Sequence, residues 1–77
     1  MMKLVALEEG KREELISGSL ENLVEYLQSN PSVYEWQLSE DPELEMPVLD
    51  EIETIGDLEA QLEKVDLSWW TLAVETE

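Results

Sequence analysis

Four apolar residues at helical spacing set the firmest limit on what this chain can fold into. Leu20, Leu23, Val24 and Leu27 fall at i, i+3, i+4 and i+7, which lines one face of an amphipathic helix. Ser19 is placed to cap its N-terminus, Glu21 sits favourably in the first turn, and Asn30-Pro31 ends it. A second stripe, Ile55, Leu58, Leu62 and Val65, begins in Thr54-Ile55-Gly56-Asp57, which matches a capping box. Elsewhere the period changes to two. In Val33–Leu38, Tyr34, Trp36 and Leu38 share one face against Glu35 and Gln37, which predicts a half-buried strand. The run Trp69–Glu75 predicts another: Trp70, Leu72 and Val74 point one way, Trp69, Thr71, Ala73 and Glu75 the other. The expected fold is α+β, with two amphipathic helices packed on a small, mostly antiparallel sheet; a small helical bundle is the alternative.

Other segments are less decided. Glu8 and Arg12 are spaced as an i, i+4 pair and Leu15-Ile16 continue an apolar face, so helix is expected from about Lys11 with a bend at Gly18. Residues 2–7 read as a short strand or as the start of that helix. Residues 48–53 read as a third strand, or as a short helix with Pro47 at its first position. Residues 39–47 carry two prolines with Glu40, Asp41, Glu43 and Glu45, and predict an exposed acidic loop. At 77 residues one domain is expected, and without cysteine no disulfide supplements its core. The first apolar run is too short for a signal peptide and nothing approaches a membrane span, so a cytoplasmic protein is expected.

Charge narrows the partners. Twenty acidic residues against four basic give a net of -16. Residues 1–12 hold three of the bases, Lys3, Lys11 and Arg12; Lys64 alone faces the eighteen acids that follow. A direct nucleic-acid binder needs a positive patch to displace counterions from phosphates, and an anionic membrane repels this chain for the same reason. A basic surface on another protein is the natural complement.

The chain offers little for catalysis. It has no His and no Cys, which removes the usual general base, thiol nucleophile and zinc ligands. Its three glycines are scattered and form no phosphate-cradling loop, and Ser17-Gly18-Ser19 is no nucleophile elbow. Glu40-Asp41-Pro42-Glu43-Leu44-Glu45 lacks the spacing that wraps a loop around calcium. No catalytic residue, cofactor or dedicated metal site is therefore expected. Gly18-Ser19-Leu20-Glu21, with Met46-Pro47 and a late acidic helix, resembles the acyl carrier proteins, which are also small and acidic. In that family the attachment serine lies in an Asp-Ser-Leu motif after a long first helix. Here Gly18 stands at the Asp position and the preceding segment is short, so Ser19 is read as a helix cap.

Trp69-Trp70 carries the most information about function. In a strand, neighbours face opposite sides, so one indole enters the core and the other needs a second cover. Tryptophan is enriched among interface anchors. The expectation is a non-enzymatic adaptor, inhibitor or small subunit that docks on a basic surface of a partner protein, with nucleic-acid mimicry as its sharper form. A small carrier or divalent-cation buffer is the alternative. Trp69, Thr71, Glu40, Asp41, Glu43 and Glu45 are the candidate contact residues, and Trp69 is a candidate seam for a homodimer.

Overall fold

The computed structural model describes residues 1–76. Strands β1 (Met2–Glu8) and β2 (Lys11–Gly18) form an antiparallel hairpin. Their two-residue turn ends on Gly10 at φ +75°, a conformation open to glycine without steric cost. The last strand, β3 (Trp70–Thr76), pairs antiparallel with the other side of β1, so the sheet order is β2-β1-β3. Residues 2–7 are thus the central strand.

Lys11–Gly18 is a strand and not the helix that the Glu8–Arg12 spacing suggests. The reason is a bulge. Pairing passes from Leu4 with Ile16 directly to Val5 with Glu14, which leaves Leu15 without an opposite residue. Both Leu15 and Ile16 then pack against the core. Two adjacent apolar residues on one side imitate a helical face; here an extra residue in a strand produces them.

Helix α1 (Leu20–Ser29) starts where expected. The Ser19 hydroxyl accepts from the Asn22 N–H at 3.2 Å, and the Asn22 side-chain oxygen accepts from the Ser19 N–H at 3.0 Å. A Cβ on Gly18 would lie 2.6 Å from that oxygen, so the strand-to-helix turn needs glycine. Helix α3 (Ile55–Leu62) is capped likewise by Thr54 and Asp57 and tightens into a 3-10 turn over Glu63–Val65.

The segment expected as a strand at Val33–Leu38 is a helix, α2 (Ser32–Glu40). Pro31 precedes it with φ -61° and ψ -21°, already helical, as proline's ring favours at a helix start. Tyr34 and Gln37 are the buried pair, three residues apart and so on one helical face. The alternation of Tyr34, Trp36 and Leu38 does not describe the buried face. Ser39 and Glu40 belong to α2, so the connection to α3 begins only at Asp41. Residues 48–53 are neither strand nor helix. They are tied down by Gln28, whose side-chain N–H donates to the Leu49 carbonyl at 3.2 Å, and by Gln61, which accepts from the Val48 N–H at 2.9 Å.

All the helices cover one sheet face. Leu4 and Ala6 of β1 and Trp70 and Leu72 of β3 meet Leu23, Leu27, Tyr34, Leu58, Leu62 and Val65 there. The other face bears Lys3, Val5 and Leu7 of β1, flanked by Arg12 and Glu14 on one side and by Thr71, Ala73 and Glu75 on the other. Val5 is nonetheless 0% exposed. Arg12 lies opposite Leu7 and Glu75 opposite Lys3, so the line joining them crosses β1 at Val5. Their two-pronged ion pair (Nε to Oε2 3.0 Å) roofs that residue.

Candidate partner-binding surface

Trp69 does not sit in β3. Leu67 and Trp70 exchange backbone hydrogen bonds at 2.8 and 3.4 Å, closing a turn with Ser68 and Trp69 at its tip. The turn frees the Trp69 ring from the strand's alternation, and it lies against Trp36 of α2 at a centroid distance of 5.6 Å. Trp36 also meets Trp70 edge-on at 5.0 Å, a favoured aromatic geometry. Trp36 thus bridges a core indole and a surface one. Trp70 is 8% exposed, while Trp36 is 36% and Trp69 40% exposed.

The acidic residues begin on the same helix. Glu40 follows Trp36 by one turn and shares its face. Asp41 is half-buried, and its carboxylate accepts the Glu43 N–H at 2.9 Å. Glu43 and Glu45 are exposed, and Glu45 lies 4.0 Å from Lys64. Residues 39–47 are not uniformly exposed, because Leu44 is half-buried and Pro47 buried. Of the candidate contacts, the fold brings Trp69 to α2 and hence to the side of Glu40. Thr71 is half-buried on the opposite, open sheet face, across from Leu7. The period-two pattern of Val33–Leu38 places Trp36 on a buried strand face, whereas the helix leaves it at the surface; its i, i+4 spacing to Glu40 fits that helical placement.

Electrostatics divide the molecule along its layers. Residues 20–66, which form the helical layer and its connections, hold fourteen acids and only Lys64, whereas Lys3, Lys11 and Arg12 all lie on the hairpin. The helical side therefore carries the negative field. Two groups of the helical layer are shifted. Burial raises the Asp66 carboxyl above its usual value, helped by Glu63, and burial raises the Tyr34 phenol, helped by Glu35.

The Ser19 hydroxyl also lies 3.0 Å from the Asn22 side-chain oxygen, and is held in the helix cap. Among the described residues no group of three or more His, Cys, Asp or Glu is placed to hold a metal ion, and no helix is long and apolar enough to cross a membrane. No family model matches the chain, and no curated protein or solved structure is significantly similar to it.

Proposed function

We propose that this chain is a non-enzymatic interaction protein, an adaptor, inhibitor or small subunit, that docks on a basic surface of a partner protein. The observation that carries the reading is the exposed Trp36–Trp69 pair, packed at 5.6 Å on the acidic helical layer. The two indoles offer a rigid apolar anchor that loses little conformational freedom on binding. Glu40, Asp41, Glu43 and Glu45 supply attraction at longer range, which raises the association rate and selects cationic partners.

Affinity capture from the native host, followed by binding measurements on the purified partner, tests this. Trp69→Ala should weaken a direct complex by about 2 kcal/mol or more, as a hot-spot tryptophan does. Neutralising Glu40, Asp41, Glu43 and Glu45 together should slow association and reduce its salt dependence. Wild-type affinity in both variants overturns the reading. Where the partner is a nucleic-acid-binding protein, competition by DNA or RNA identifies mimicry.

A further inference from the structure

Along the outer side of α1, Leu20 and Val24 face the 48–53 segment, and Leu49 and Ile52 complete an apolar floor between them. Leu49 is buried; the other three are only half-buried although they pack on the core. Glu21 and Glu25 stand on the α1 bank, one turn apart, and Asp50 and Glu53 stand on the other; all four are exposed. The groove has a volume of about 720 Å³, and Gln28 closes one end through its bond to the Leu49 carbonyl. None of the four basic residues lines it, so the two banks repel each other without a cation of this chain between them.

We propose that this groove takes a two-turn amphipathic helix of a partner protein, apolar on the inner stripe and flanked by Lys or Arg. The floor supplies the hydrophobic contact, and the facing carboxylate banks supply the charge complement. From Leu20 to Gln28 the groove follows α1 for about 12 Å, the rise of two helical turns. Its walls are a helix and a coil segment with no strand edge, so recognition runs through side chains and favours a helix over an added strand. A second copy fits poorly, because this chain's own helices bring further carboxylates to the banks. The proposal rests on the reading that the protein docks cationic partners, and gives that reading a contact that shares no residue with the tryptophan pair.

The test uses a synthetic helix-forming peptide of about 14 residues with Leu at i, i+4 and i+7 and Lys beside them, against a scrambled peptide of identical composition. Binding is followed by methyl NMR of the Leu, Val and Ile residues and by tryptophan fluorescence. The patterned peptide should shift the methyls of Leu20, Val24, Leu49 and Ile52 and bind at least about 10-fold more tightly than the scrambled one. The exposed-bank variants Glu21→Gln/Glu25→Gln and Asp50→Asn/Glu53→Gln should each weaken it several-fold. Equal binding of both peptides overturns the proposal, since charge alone then suffices. A fluorescence change with the groove methyls unmoved also overturns it, yet leaves the tryptophan-centred function standing. Absence of binding by either peptide overturns the groove proposal, while capture of the native partner still judges the function separately.

Discussion

Among the described residues, Gln37 is the polar side chain buried in the fold, at 0% exposure. Its side-chain N–H donates to the Val33 carbonyl at a long 3.3 Å, and its Oε1 has no hydrogen-bond partner among the described residues. Gln37→Met keeps an unbranched shape and removes both polar ends. The lost bond is worth at most about 0.5–1.5 kcal/mol, and Val33's carbonyl keeps its backbone helical partner. Removing a buried, unsatisfied acceptor relieves about 1–3 kcal/mol, and the added thioether contributes apolar burial. The net expectation is a gain of about 1 kcal/mol, or roughly 4–8 °C in Tm for a domain of this size. Urea unfolding followed by tryptophan fluorescence measures it directly, and Gln37→Glu, which buries a carboxylate, should move the midpoint the other way. A loss of about 1 kcal/mol or more in Gln37→Met would refute the reasoning, because Oε1 would then have to be satisfied in the folded protein.

Trp70→Ala should unfold the domain, since loss of a buried tryptophan costs about 3–5 kcal/mol and stability at this size is marginal. Trp69→Ala should keep a cooperative melt, and reversed severity would refute the turn at Ser68-Trp69. Gly18→Ala should lower Tm because its Cβ collides with the Asn22 cap; an unchanged melt would show that the cap can shift. In acid, Glu75 is held below the usual range by its bond to Arg12, and Asp57 by the Glu53 and Thr54 N–H groups. Their contribution is full above the unfolded carboxylate value of about 4 and is lost as pH falls through the lowered folded values. The raised Asp66 works oppositely, favouring the folded state as it takes up its proton. Thermal melts should therefore show an acid limb below pH of about 4 that flattens in Asp57→Asn/Glu75→Gln, and an unflattened limb would refute these assignments.

Elements governed by neighbours in sequence were legible. Ser19 and Asn22 cap α1, and Thr54 and Asp57 cap α3, within three residues of each other, so both starts can be read from the chain. The first stripe repeats within one helix and the second within a helix and the 3-10 turn that ends it, and Trp70, Leu72 and Val74 repeat within one strand. The acidic balance was legible too, and with it the class of partner proposed. The strand reading of Val33–Leu38 failed because Trp36, which imitates strand alternation, is held by Trp69 and Trp70 more than thirty residues away.

Tertiary structure decided what depends on distant pairing. The bulge at Leu15 exists only because β2 is matched against β1, and without that register Leu15-Ile16 reads as helix. Val5 lies buried beneath the line on which Arg12 and Glu75 meet across the sheet, a contact spanning 63 residues. The same holds for function. Trp36 joins Trp69 through long-range packing, and the groove exists because α1 and residues 48–53 are held side by side by Gln28. Local hydrogen bonding and apolar periodicity set the capped helices and the last strand, because their causes lie within a turn or two of chain. The bulge, the roof over Val5 and both proposed contact surfaces arise only when segments far apart in sequence are packed together, and no local pattern encodes that choice.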